Sequence, residues 1–177
     1  WIDDVVDLDR PYPDPDDRMR LAIALARENV VRDSGGPFGA VVFESESGRP
    51  VAVGMNLVVG QRNSVLHAEI VALMLAEQAA DSYTLGAAGL PAHELVASCS
   101  PCAMCLGAAL WSGVRRIVAG ATREDAMAFG FDEGPVFPES YQYLEHAGLA
   151  VVTGVLRAEA RAVLELYRER GGIVYNG

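Results

Sequence analysis

Lysine is absent from the 177 residues; all 14 basic side chains are arginine. Schiff-base chemistry through a protein lysine is therefore excluded. Cysteine is scarce. Two of the three cysteines share one Cys-x-x-Cys, which is no disulfide framework and points to a reducing, cytoplasmic setting. Although 51% of the residues are hydrophobic, no uninterrupted apolar run reaches the length of a membrane span. No basic-plus-apolar leader opens the chain. Positive charge is in deficit, leaving a net charge of −10. So acidic a chain is a poor electrostatic match for a polyphosphate, which argues against tRNA or single-stranded DNA as substrate.

The length suits one domain with a sizeable core, here residues 1–177, with an irregular arm over about 1–13 and a tail over about 171–177. Met19, Ala22, Ile23, Ala26 and Val30 share one face of a helix predicted over 14–33, with Asp14 or Asp16 as its cap and Gly35-Gly36 as its stop. Valine-rich runs over 38–43 and 51–58, parted by a polar turn at Gly48, read as a hairpin. Gly54 and Asn56 there mark a bulge or a close backbone approach. Helices are expected over 66–80, 101–112, 138–147 and 158–170, and strands over 94–98, 116–120 and 150–155. A leading helix, a hairpin and then alternating elements predict an α/β chain, a three-layer α/β/α arrangement on a mixed sheet. The helix between the last two strands predicts that they pair in parallel.

The chemistry concentrates in Ser98-Cys99-Ser100-Pro101-Cys102-Ala103-Met104-Cys105 and in His67-Ala68-Glu69, 35 positions before Cys102. A lone Cys-x-x-Cys is ordinarily structural or redox, and a lone histidine on an apolar helix is ordinarily a core residue. Together they make the H-x-E…P-C-x-x-C signature of zinc deaminases acting on nucleobases. Two thiolates three positions apart at a helix start converge on one metal, and the helix N-terminus stabilises them. His67 adds a third ligand, leaving the fourth tetrahedral position open for water. Zinc brings the pKa of that water towards about 7, giving zinc-bound hydroxide. Glu69 takes the role of proton shuttle from the water to the ring nitrogen and the leaving amine. Cys99 raises a second possibility, a closed Cys3His structural site. Its place at a strand end, with the sulfur pointing away, speaks against that.

On these residues, with Gly36-Pro37-Phe38-Gly39-Ala40-Val41-Val42, Gly54-Met55-Asn56 and Gly130-Phe131-Asp132-Glu133, the chain resembles the cytidine-deaminase-like superfamily over nearly its whole length. Within it the chain is most similar to the bacterial guanine deaminase branch. The resemblance implies a central five-stranded sheet and a homodimer, with the C-terminal segment in some members exchanged between subunits. It implies zinc on His67, Cys102 and Cys105, with Asn56 on the purine edge, Phe38 along the pocket wall and Ala68 beside the substrate. Glu133 becomes the candidate second acid, for the amine expelled from C2 as guanine becomes xanthine; on residue type alone it is a solvated loop acid. Phe131 becomes a stacking partner for the base, from the same or the neighbouring subunit, against ordinary core packing. Tyr175 becomes a side chain that closes the pocket. Trp111 is read as core or dimer interface. Ser100 stands where the family usually carries Glu, which changes hydrogen bonding near the site but not the zinc ligands.

A small-molecule nucleobase is thus the expected substrate. Cytosine or cytidine, guanosine, an amino-triazine and, against the charge, tRNA adenosine are rivals within the same chemistry. A zinc module that only mediates protein contacts is the rival from another class, and Glu69 discriminates it, since a closed site is indifferent to that side chain.

Overall fold

The computed structural model describes residues 1–175. Five strands carry the chain: β1 (Gly39–Glu44), β2 (Pro50–Met55), β3 (His93–Cys99), β4 (Arg116–Ala121) and β5 (Ala150–Val152). Their order is β2-β1-β3-β4-β5. The β1–β2 hairpin and the β1–β3 pair are antiparallel; β3, β4 and β5 run parallel, the mixed sheet that the resemblance implies.

Helices cover both faces because side chains alternate along each strand. Val41, Phe43, Val96 and Val118 point to one layer, where α2 (Pro15–Val31) supplies Met19, Ala22 and Leu25 and α8 (Arg157–Glu169) supplies Ala160, Val163 and Leu164. Ala40, Val42, Leu95, Ala97 and Ile117 point to the other, against Ala72, Leu73 and Ala76 of α4 (Ala68–Ala79) and Leu106 and Ala109 of α5 (Ala103–Ser112). The central strands are buried on both faces, so their sequences read as continuous apolar runs. Asp14 caps α2, its carboxylate accepting from the Asp16 N–H at 2.9 Å.

Three local expectations are corrected. The first residues are not wholly irregular: Ile2–Val5 form a helical turn, α1. The second hairpin strand ends at Met55, and Val58–Gln61 form a short helix, α3, between it and α4. The bulge lies on the second strand but at neither Gly54 nor Asn56: Val42 and Phe43 pair with Ala52 and Pro50, which leaves Val51 as the extra residue. Gly54 serves instead as the close approach: a Cβ there would fall 2.5 Å from the Ala72 backbone nitrogen of α4. That contact seats the start of α4 on β2. His93, at the start of β3, is buried with its ring nitrogen 3.3 Å from the Leu85 carbonyl. α6 (Arg123–Ala128) and α7 (Pro138–His146) complete the chain.

Candidate active site

His67 and Cys102 occupy equivalent places, each the N-cap residue of its helix, α4 and α5, with no side-chain capping bond. The sheet and the α4–α5 layer bring these two helix starts together. The Cys102 sulfur lies 3.5 Å and the Cys105 sulfur 3.7 Å from Nδ1 of His67. The three ligand atoms lie within 4.8 Å of one another. Metal bonds of about 2.1 Å to nitrogen and about 2.3 Å to sulfur at tetrahedral angles separate ligand atoms by roughly 3.6 Å, so this donor set fits zinc. α5 starts at Ala103, two residues after Pro101, so its N-terminal amides face the thiolates.

Cys99 stays apart from this cluster. Its thiol points to the Thr122 carbonyl at 3.7 Å, and among the described residues the metal-competent group is His67, Cys102 and Cys105. The closed Cys3His site does not form.

The electrostatics follow from crowding negative groups in a dry place. The Cys102 thiol is pulled down to about 4, first by a hydrogen bond from Cys105 and, against burial, by His67. The Cys105 thiol, which makes that bond, is pushed up by it and by burial. Burial opposes charge on the His67 ring, yet Cys102 and Glu69 hold its pKa above the ordinary value. Glu69, the second residue of α4, is raised to about 7 by burial and then by the negative Cys102. Glu133 is raised to about 8 by burial, Cys102 and Glu69, with His67 and Arg123 pulling the other way. Each carboxyl is therefore poised to hold or release a proton near neutral pH.

Glu69 and Glu133 line one small cavity with His67, Phe38, Phe131 and Tyr175. The ring of Phe131 meets Phe38 edge-on at 5.0 Å and Tyr175 at 5.3 Å, and Tyr175 lies 6.4 Å from His67. The remaining space is about 20 Å³, room for about one water.

Asn56 and Ala68 do not line that cavity. Ala68 is the buried first residue of α4. Asn56 is buried, and its Oδ1 accepts from the Val58 N–H at 3.2 Å. Its Nδ2 has no hydrogen-bond partner among the described residues.

Two residues that the sequence reading passed over, Asn29 and Arg123, shape the site, and so does Ser100, which it named. Asn29 of α2 is fully buried, and its Nδ2 donates to the carbonyls of Gly36 at 2.8 Å and Asn56 at 2.9 Å. A polar side chain beside the apolar stripe of that helix was its signal. Ser100 turns its hydroxyl back on the Ala121 carbonyl at 3.3 Å, so the family's glutamate position here serves the strand end. Arg123 donates to the Gly134 carbonyl at 3.3 Å, next to Glu133; nothing in its sequence context signals this.

The family model for the cytidine and deoxycytidylate deaminase zinc-binding region matches residues 14–121. A guanine deaminase of Bacillus subtilis is 36% identical over 121 residues, spanning 68% of this chain and 73% of that one. A solved structure of a guanine deaminase from Nitrosomonas europaea superposes with a TM-score of 0.88 at 48% identity, covering 90% of this chain and 87% of that one. A tRNA-specific adenosine deaminase of Buchnera aphidicola is 29% identical, covering 84% of this chain and 91% of that one.

Proposed function

The chain belongs to the cytidine and deoxycytidylate deaminase zinc-binding family, and on that premise we propose that it is an aminohydrolase converting guanine and water to xanthine and ammonia. The observation that carries this reading is the pairing of one metal-competent triangle, His67, Cys102 and Cys105, with two buried carboxyls of raised pKa, Glu69 and Glu133, in one aromatic-walled pocket. The identity to guanine deaminases supports the choice of base, and the net charge of −10 disfavours tRNA.

Zinc held by His67, Cys102 and Cys105 supplies the Lewis acidity that makes a water nucleophilic near neutral pH. Glu69 accepts a proton from the attacking water and passes it to the ring nitrogen beside C2, which turns tetrahedral as the new C–O bond forms. Glu133, protonated near neutral pH, gives its proton to the exocyclic amine, so that the C–N bond breaks to release ammonia; as the C2 carbonyl forms, the proton of the new hydroxyl goes to the Glu133 carboxylate and restores the acid. Phe38 and Phe131 hold the flat base by their ring faces and edges and exclude water. Asn56, with Oδ1 engaged by Val58, offers its amide N–H to an acceptor on the purine edge.

A second copy is proposed to cover the outer face of α4, α5 and α7. Trp111 of α5 is 81% and Tyr143 of α7 65% exposed, and Met74 and Leu75 of α4 and Met104 of α5 are exposed as well, which leaves the dimer interface and removes the core as the place of Trp111. The three free cysteines suit a reducing cytoplasm. No helix among the described residues is long and apolar enough to cross a membrane.

The test is ammonia release by the zinc-loaded protein from guanine, guanosine, adenine, cytosine, cytidine and ammeline. Guanine turned over well above the rest is the expected result. Turnover confined to cytidine or guanosine retains the zinc chemistry and overturns the base assignment.

A further inference from the structure

Glu133 sits on a segment with little rigidity of its own. Gly130 and Gly134, on either side of Phe131-Asp132-Glu133, both adopt positive φ, at +95° and +69°. Such glycines give the backbone freedom that a catalytic carboxyl has to lose. Several bonds restrain it: the Phe131 N–H donates to the Ala126 carbonyl at 3.3 Å, and the Gly134 carbonyl accepts the Val136 N–H at 2.9 Å. The Glu133 carbonyl accepts the Ala103 N–H of α5 at 3.0 Å, one residue past the ligand Cys102. The Asp132 carboxylate accepts the Gly134 N–H at 2.8 Å. A longer side chain reaches in from α6: Nη2 of Arg123 donates to the same Gly134 carbonyl at 3.3 Å.

Arg123 is mounted on a stiff base. It is the first residue of α6, directly after the N-cap Thr122. Thr122 and Asp125 cap each other reciprocally, at 2.9 Å and 3.3 Å. Asp125 is in turn held by Arg157 of α8 through two bonds, at 2.7 Å and 2.9 Å. Nε of Arg123 is buried without a hydrogen-bond partner among the described residues, so that nitrogen makes no bond to compete with the one Nη2 makes to the Glu133 loop. Beyond it lies a cavity of about 610 Å³ at the carboxyl ends of β4 and β5. Arg123 lines it together with Val136, two residues past Gly134.

We propose that Arg123 is a positioning residue for Glu133, fixing the loop so that the carboxyl meets the leaving amine. The inference rests on the reading of Glu133 as the acid of guanine deamination.

The test is a double-mutant cycle on the zinc-loaded protein, with guanine turnover, zinc content and thermal midpoint measured for Arg123→Ala, Glu133→Gln and the pair. A misplacement of about 1 Å can cost on the order of 100-fold in rate, and loss of one tether among several falls below that. Arg123→Ala is expected to lower kcat about tenfold, with KM within about twofold and zinc content unchanged. In the Glu133→Gln background the same change is expected to have no further effect, because there is no acid left to place. Arg123→Lys, which keeps a donor of similar reach, is expected to recover part of the rate. If both single variants slow turnover and their effects multiply in the pair, Arg123 acts elsewhere and the proposal fails while the reading of Glu133 stands. If Glu133→Gln leaves guanine turnover unchanged, that reading and this proposal fail together. A tenfold loss explained by lost zinc or a lowered thermal midpoint also overturns it.

Discussion

The hydroxyl of Tyr175 and the side chain of Asn56 meet over Gly36, where a Cβ would collide with the hydroxyl and fall 2.9 Å from Asn56 Oδ1. Neither the hydroxyl nor Asn56 Nδ2 has a hydrogen-bond partner among the described residues. Two buried polar groups without partners are costly, and a ligand that satisfies them recovers the cost. With only about 20 Å³ left beside Tyr175, a purine cannot enter while that ring stays in place. Saturating guanine analogue is therefore expected to change amide hydrogen exchange at residues 172–175 while leaving the sheet unchanged. An unaltered tail at saturation means that the pocket opens through another wall.

Glu69→Gln keeps the size of the side chain and removes its proton chemistry. Zinc content and thermal midpoint are expected to hold, and guanine turnover to fall by about 10² to 10⁴-fold. Ammonia release beside metal analysis measures both. Undiminished turnover would refute the proton-shuttle role and favour a structural metal site.

The metal assignment separates the cysteines. Cys102→Ala and Cys105→Ala are expected to lose bound zinc and activity together, whereas Cys99→Ala, whose sulfur points to Thr122, keeps both. Removal of zinc by a chelator should abolish turnover, with recovery on adding zinc back. Zinc loss in the Cys99 variant would restore the closed four-ligand site.

Asp125 carries a pH signature of stability. Its carboxyl is held at about 2, foremost by the hydrogen bonds from Arg157, below the usual carboxylate value. A folded pKa below the unfolded one stabilises the protein fully above about pH 4 and loses that contribution as pH falls towards 2. The Arg157 side chain is 53% exposed, so solvent screens the pair and Asp125→Asn is expected to cost about 1 kcal/mol at pH 7. The gap between the two proteins in urea midpoint should close between about pH 4 and pH 2. A gap that persists unchanged at pH 2 shows that the carboxylate charge is not what stabilises.

The apolar outer face gives an assembly test. Trp111→Glu places a charge at the centre of the face that a second copy is proposed to cover. Sedimentation is expected to show a dimer for the unaltered chain and a monomer for the variant. A monomer in both removes the second copy from the reading.

By itself the sequence determined the parts whose physics is local. Valine-rich runs buried on both faces showed the strands, the spacing of Met19, Ala22, Ile23 and Ala26 showed α2, and His-x-Glu with Pro-Cys-x-x-Cys marked the residues that gather as a metal-competent group, because a fixed donor set at helix starts leaves a short-range pattern. Only the tertiary structure decided what depends on distant contacts. It placed Cys99 against Thr122, away from the ligands, a matter of which way one strand-end side chain turns. It buried Glu133, whose residue type reads as a solvated acid, because the backbone of its loop is tied to Ala103 and Arg123. It brought Tyr175 from the far end of the chain to Gly36 and made Asn29 the fastener of Gly36 and Asn56. These contacts join residues from separate elements, and no periodicity in the sequence encodes them.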